Sequence, residues 1–114
     1  MAVGDRTEKR LVGPVQLTAT DAAVGVAVPA SRTWIVKQII FNNVSGIDRL
    51  IYLGIGGTAT GGAGSRFATM LPIAAGDTIV LDTALVLETT ERFWGYSDTA
   101  SAVNVIAIGW EKET

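Results

Sequence analysis

The chain contains neither cysteine nor histidine among its 114 residues. Without cysteine it has no disulfide, and no thiolate to act as a nucleophile or metal ligand. Without histidine it lacks the side chain that most often acts as a general base near neutral pH. Ser-His-Asp and Cys-His catalysis are therefore excluded, and we expect a protein that is not an enzyme.

Charged residues are scarce in the middle of the chain. They make up 18% of the sequence, against about 25% in a typical globular domain. Eight of the 20 lie in the first ten and the last four residues. A small domain has a large surface that is normally covered with charge. We infer that other subunits cover part of this surface, and a homo-oligomer is the simplest explanation.

Charge and hydrophobicity also argue against two kinds of partner. The net charge of −2 provides no basic field for nucleic acid. No apolar run approaches the roughly 18 residues of a membrane-spanning helix, and the charged first ten residues are unlike a signal peptide. We expect neither nucleic acid nor membrane as a partner, and synthesis in the cytoplasm.

The pattern of apolar and turn-forming residues indicates strands along the whole chain. About eight or nine runs rich in β-branched and aromatic residues recur every 8–12 residues, as in a sandwich or barrel. Residues 78–82 and 85–88 read as two separate strands, and no useful helical period is present. We predict an all-β fold, an antiparallel jelly-roll-like β-sandwich over residues 11–114, after a flexible arm at residues 1–10.

The strongest strand signal extends from Thr33 to Ile55. Two apolar runs flank a polar turn at residues 42–46, so we predict neighbouring antiparallel strands in one sheet. Strict alternation in the first run places Ile35, Ile39 and Phe41 on one face. It places Trp34, Val36 and Ile40 on the other. Both faces are apolar, which predicts that both are covered.

Two patterns invite a ligand-binding interpretation. The glycine-rich residues 56–66 follow a strand, but no helix and no Gly-Lys-Ser/Thr follow them, so a surface or subunit-contact loop is favoured over phosphate binding. Carboxylates cluster at predicted strand ends in the C-terminal half, at Asp77, Asp82, Glu88, Glu91 and Asp98. Capping of turns is favoured for them over glycosidase chemistry or calcium binding, so we expect no metal and no cofactor.

Three aromatic residues, Phe93, Trp94 and Tyr96, lie close together in one predicted strand. Trp94 and Tyr96 share a face of that strand. If exposed and coplanar with Tyr52, they would form a platform on which a sugar ring stacks. A place in the core or a subunit interface is favoured, because large aromatic side chains dominate burial in small domains.

Three segments together resemble a class of small structural proteins from tailed-bacteriophage virions. They are RTWIVKQIIFNNVSG (residues 32–46), YLGIGGTA (52–59) and LPIAAGDTIVLDTALVLETTERFWGYSDTASAVNVIAIGWE (71–111). The shared features are an aromatic entry strand, an N-x-S-G turn, an AAGDT hairpin, an LVLE strand and a closing TASAVNV strand. The resemblance implies a head decoration, cement, neck or fibre-associated component, often trimeric, and implies no catalytic residue.

We therefore predict a capsid decoration or cement protein that stabilises a virion through subunit contacts and is assembled in the host cytoplasm. Its expected partners are copies of itself, as a homotrimer, and virion proteins such as the major capsid protein. The alternative is a glycan-binding, receptor-recognising module of a fibre or tail. The residues predicted for subunit packing are Trp34, Val36, Ile40, Tyr52, Trp94 and Trp110. Those predicted for docking are Asp5, Arg6, Glu8, Lys9 and Arg10 of the arm, and Arg66 at the end of the glycine-rich loop.

Overall fold

A computed structural model describes residues 6–56 and 66–113. These residues form eight β-strands, and they include no helix that could cross a membrane. The strands are β1 (Arg6–Gln16), β2 (Ala22–Val24), β3 (Arg32–Asn43), β4 (Arg49–Gly56), β5 (Arg66–Ile73), β6 (Thr78–Leu87), β7 (Arg92–Ser97) and β8 (Val103–Glu113).

The strands form two antiparallel sheets of four. Sheet I has the order β1-β8-β3-β6, and sheet II has the order β2-β7-β4-β5. Only β4 and β5 are neighbours both in sequence and in a sheet, and every other connection crosses between the sheets. This order is that of a jelly roll with two Greek keys. The predicted all-β, antiparallel, jelly-roll-like sandwich is confirmed.

Two predictions about the strands are wrong. The runs on either side of residues 42–46 are β3 and β4, which lie in different sheets and do not pair. Turn-forming residues reverse the chain equally well within a sheet or between sheets, so composition does not distinguish the two. Residues 78–82 and 85–87 lie on one strand, β6, which ends one residue before the predicted second strand does, because Asp82 and Thr83 continue the alternation without a turn.

The crossing from β3 to β4 is held by one buried polar side chain, Asn43, which is fully shielded from solvent. Its Nδ2 donates to the carbonyl oxygens of Ile47, Ile73 and Ala74 at 2.8, 3.2 and 3.2 Å. Its Oδ1 accepts hydrogen bonds from the backbone N and the Oγ of Ser45 at 2.9 and 2.7 Å. Asn43 thereby satisfies the backbone groups that the crossing would otherwise leave unpaired.

The core fills the space between the two sheets. Its largest fully buried side chains include Phe41 and Ile39 of β3, Phe93 of β7, and Ile51 and Leu53 of β4. Each large apolar side chain removed from water contributes about 1.5–3 kcal/mol. This packing holds sheet I against sheet II.

The predicted faces of β3 need correction, because the ladder has an irregularity between Val36 and Gln38. Lys37 is an extra residue relative to β8, where Val36 pairs with Gly109 and Gln38 with Ile108. The alternation therefore shifts by one residue along the strand. Trp34, Val36, Ile39 and Phe41 all point into the core, and Ile35 and Ile40 lie on the outer face of sheet I.

Replacing Asn43 with alanine should destabilise the fold by about 2–3 kcal/mol, because buried carbonyl groups lose their donor. The matched control is Asn42→Ala. Asn42 donates to Thr78 Oγ1 at 3.0 Å and to the Asp77 carbonyl oxygen at 3.3 Å, in exposed positions. That variant should lose less than about 1 kcal/mol. Urea unfolding followed by tryptophan fluorescence measures both, and equal losses would contradict the role of Asn43.

Candidate interaction surfaces

The six residues predicted for subunit packing divide among three places. Trp34 and Val36 are 2% and 0% exposed, so the domain's own core buries them and leaves no surface for a partner. This corrects the sequence interpretation, which read an apolar strand face without knowing what covered it. Ile40 and Trp110 lie on the outer face of sheet I, and Tyr52 and Trp94 lie on the outer face of sheet II.

The outer face of sheet I is apolar along its central strands. Ile40 of β3 is flanked by Ile106 of β8 and Val80 of β6. A second row joins Ile35 to Trp110 and Val86 in the same way. Together with Ile108, these side chains form what we call the outer apolar face: Ile35, Ile40, Val80, Val86, Ile106, Ile108 and Trp110.

Exposure differs across this face. Its central members are half-buried, and Val80 and Val86 at the β6 edge are 50% and 51% exposed. Apolar side chains grouped in this way mark contact sites on soluble proteins. The isoleucines of β8 were not predicted, although their alternation with the buried Val105 and Ala107 was a readable signal.

Charged side chains from β1 and β3 surround Trp110 at one border of the outer apolar face. The Arg6 guanidinium lies 4.5 Å from the centre of the indole ring, and Lys37 Nζ lies 5.9 Å from it. The indole Nε1 donates to Glu8 Oε2 at 3.2 Å. Arg6 and Glu8, predicted for docking, and Trp110, predicted for packing, therefore form one site.

The residues predicted as an arm are partly a strand. Residues 6–10 form the first half of β1 and pair with β8, from Arg6 opposite Lys112 to Arg10 opposite Ile108. Asp5 and most of the predicted docking loop, residues 57–65, lie outside the described residues. Deleting residues 1–10 would remove the first half of β1 and expose the edge of β8. A loss of binding after such a deletion would therefore not distinguish a lost docking contact from a disturbed sheet.

Glu111 joins three strands of sheet I through its carboxylate. Lys9 Nζ lies 3.4 Å from Oε1, and Arg32 Nε lies 3.7 Å from the same oxygen. Trp34 Nε1 donates to Oε2 at 3.0 Å. Burial alone would raise the pKa of Glu111, but the Trp34 hydrogen bond and the charges of Lys9 and Arg32 outweigh it. The pKa therefore lies below its ordinary value.

The outer face of sheet II carries a cluster of aromatic and arginine side chains. Tyr52 and Tyr96 stack on each other with ring centres 4.4 Å apart and an interplanar angle of 6°. The Arg66 guanidinium lies 5.2 Å from the centre of each ring, and Arg66 Nη2 is 3.4 Å from Asp21 Oδ2. Arg66, predicted for docking, is therefore held by contacts within the domain.

Trp94 lies beside this cluster and is half-buried. The Arg92 guanidinium is 5.9 Å from its ring, and Arg92 NH2 donates to the Gly25 carbonyl oxygen. The Trp94 Nε1 atom is shielded from solvent and has no hydrogen-bond partner within the described residues. The stacked tyrosines turn ring faces towards each other, so the three aromatic residues do not form one flat, open platform.

Three of the five C-terminal carboxylates, Asp82, Glu88 and Glu91, have structural partners. Asp82 Oδ1 accepts from Gln38 Nε2 at 3.1 Å, and Glu91 Oε1 accepts from the Glu88 backbone N at 2.7 Å. Glu88 Oε2 accepts from Thr33 Oγ1 at 3.4 Å. Residues 6–56 and 66–113 show neither a pocket nor a group of three acidic side chains that could hold a metal ion.

Replacing Glu111 with glutamine should lower the free energy of unfolding by about 1 kcal/mol at pH 7, a small value because the ion pairs lie near the surface. Since the folded-state pKa is lowered, the carboxylate stabilises the fold above its unfolded-state pKa. That stability is lost as the pH falls through the unfolded-state and then the folded-state pKa.

Urea unfolding of both proteins at pH 7 and pH 3 tests this expectation. The difference between wild type and Glu111→Gln should shrink at pH 3. A difference that stays constant between the two pH values would contradict the assigned charge interactions.

Comparison with known proteins identifies a shared fold but no family. No protein-family model matches the chain, and no curated protein sequence matches it. A chain from Bacillus endospore appendages, which form disulfide-linked pili, is similar with a TM-score of 0.56 and 11% identity, over 98% of this chain and 91% of that chain. The coat protein of Tobacco streak virus, solved as a dimer, is similar with a TM-score of 0.55 and 14% identity. The match covers 95% of this chain and 85% of the coat protein chain. The chain thus shares its β-sandwich fold with a virus coat protein and a pilus protein.

Proposed function

We propose that this chain is a structural subunit of a virion, and that it binds its neighbours through the outer apolar face of sheet I. The grouped apolar side chains on a face that the domain leaves uncovered carry this proposal. Within the virion, we propose the role of a capsid decoration or cement protein of a tailed bacteriophage. Its partners would then be copies of itself and the major capsid protein.

The outer apolar face has the anatomy of a protein–protein interface. Its isoleucines and valines occupy the two central strands and the β6 edge, and charged residues of β1 border it at Arg6, Glu8 and Arg10. Interfaces commonly have an apolar centre and a polar rim, and they bury about 800 Å² per partner. A lattice that repeats such a contact by symmetry needs no strong individual site.

The fold comparisons are consistent with assembly as the function. One similar protein forms a viral coat and the other forms pili. This chain has no cysteine, so any assembly it forms is held without disulfides. The trimer expected from sequence stays a prediction that the native mass tests.

The glycan-binding alternative depends on the cluster around Tyr52 and Tyr96. A sugar stacks on an open aromatic face, and here the two rings stack on each other while Arg66 lies against both. Trp94 is the remaining candidate platform. A glycan-binding role predicts a change in tryptophan emission when mono- and oligosaccharides are titrated in, and we expect no change up to millimolar sugar.

The double variant Ile40→Thr/Ile106→Thr should bind shells at least tenfold more weakly than wild type. Threonine keeps the β-branched shape that a strand favours and removes apolar contact area from the outer apolar face. The measurement is co-sedimentation with shells assembled from the virus's own major capsid protein without this subunit.

The matched control is Val26→Thr/Val44→Thr, which makes the same kind of change at two valines that are 60% and 53% exposed outside the strands. The control should bind as wild type does. Unchanged binding of Ile40→Thr/Ile106→Thr would contradict the assigned face, and circular dichroism confirms that each variant is folded.

A further inference from the structure

Each sheet has two edge strands, and three of the four edges carry features that prevent pairing with another chain. β1 has four charged residues in its first half and Pro14 in its second. β2 is only three residues long. β5 contains Pro72 and two ladder irregularities against β4. Charge, proline, bulges and short length are the usual means by which natural sheets protect their edges.

The fourth edge, β6, lacks most of this protection. It is ten residues long, with no proline and no basic residue. Asp82 is its one charged residue, and that carboxylate is engaged by Gln38. Among the described residues, β6 pairs with β3 alone. A long edge rich in valine and leucine is a template for a further strand.

The side of the sandwich along β6 is also incompletely closed. The inward-facing Ile79, Leu81 and Leu85 are only partly buried against the core. Within residues 6–56 and 66–113, four of the seven exposed large hydrophobic side chains lie on β5 and β6, at Phe67, Met70, Val80 and Val86. A strand added beside β6 would cover apolar groups on both faces of sheet I.

We propose that the added strand is β6 of a second copy of this chain, paired antiparallel about a two-fold axis at Thr83. The sequence of β6 is close to a palindrome in its apolar residues about that position. Val80 would lie opposite Val86 of the partner subunit, Leu81 opposite Leu85 of the partner subunit, and Ile79 opposite Leu87 of the partner subunit. A two-fold contact requires this kind of self-complementary surface.

The same register satisfies the polar residues. Thr83 would face Thr83 of the partner subunit, a favourable cross-strand pair, and Asp82 would face Ala84 of the partner subunit. The two aspartates therefore do not lie opposite each other, and the repulsion between like charges on paired strands is avoided. Nine residues of each β6, 79–87, pair in this way and form about eight to ten backbone hydrogen bonds, close to the number in a standard interface.

One irregularity lies near the proposed axis. The β3–β6 ladder shifts between the pairs Gln38–Asp82 and Val36–Leu85, so Thr83 and Ala84 lie at the shift. Thr83 Oγ1 donates to the Val36 carbonyl oxygen there at 2.6 Å. Thr78–Asp82 and Leu85–Leu87 are regularly paired on either side, so the two halves of β6 present ordered edges.

Disulfide cross-linking tests the register directly, because the wild-type chain has no cysteine to give a background. In Thr83→Cys, the two new cysteines would face each other with Cα atoms about 4.5–5.5 Å apart, within disulfide reach. In Asp82→Cys or Ala84→Cys alone, each cysteine would be about 8 Å from its own copy, beyond that reach. Mixing Asp82→Cys with Ala84→Cys would bring unlike cysteines together.

Under mild oxidation, we therefore expect covalent dimers from Thr83→Cys alone and from the Asp82→Cys/Ala84→Cys mixture. Asp82→Cys, Ala84→Cys and the exposed control Val44→Cys should each stay monomeric on a non-reducing gel. No dimer from Thr83→Cys, or equal dimer from Val44→Cys, would overturn the proposal.

A second measurement does not depend on cysteine at a partly buried site. Val80→Lys/Val86→Lys adds the basic residues that β6 lacks, at two half-exposed positions. This variant should raise the dimer dissociation constant at least tenfold, measured by sedimentation equilibrium. Val26→Lys/Val44→Lys is the matched control and should leave the dimer unchanged. Equal dimerisation of both variants would overturn the β6 contact.

This contact deepens the proposed structural role by naming the second copy as the partner of β6, and it gives a dimer or an even-numbered assembly in place of a trimer. The two proposals fail separately. A monomeric wild type that binds shells would overturn the β6 contact alone, whereas a β6-linked dimer that binds no shell would overturn the proposed function alone.

Discussion

A two-sheet sandwich has one internal space, and that limit determines where the apolar residues of this chain lie. Each sheet contributes one face to the core, where Phe41, Phe93 and Ile39 are fully buried. Hydrophobic residues form 48% of the chain, and the single core does not accommodate all of them. A large part of the remainder lies on the outer apolar face of sheet I and along β6, where only other molecules can remove it from water.

Several of the few charged residues pair with one another within the domain. Lys9 and Arg32 are balanced by Glu111 and Glu113 at the end of sheet I where β1, β3 and β8 meet. Arg66 is balanced by Asp21 on sheet II. Charge is thus used to fix strand ends and to border Trp110, and β6 contains a single aspartate. The distribution leaves one outer face and one edge with little to oppose contact by another subunit.

The sequence was sufficient to predict the fold class and most strands, because apolar alternation and turn residues are local signals. It was not sufficient to pair them, since β3 and β4 are joined by a turn that reads like a hairpin but crosses between sheets. The extra residue at Lys37 reversed the faces of Ile39 and Phe41 relative to Trp34, and no local pattern marks such a shift. Trp34 and Val36 consequently looked like interface residues and are core.

The proposed assembly requires that copies of this chain cover part of its apolar surface. The most direct test is the native mass of the wild-type protein, by light scattering after size exclusion at several concentrations. With the β6 contact, we predict a mass that rises with concentration to twice the chain mass of 11.9 kDa, or to a higher even multiple. A mass of three chains would favour the trimer expected from sequence over the β6 contact. A mass of one chain at every concentration would contradict the coverage of apolar surface by other copies.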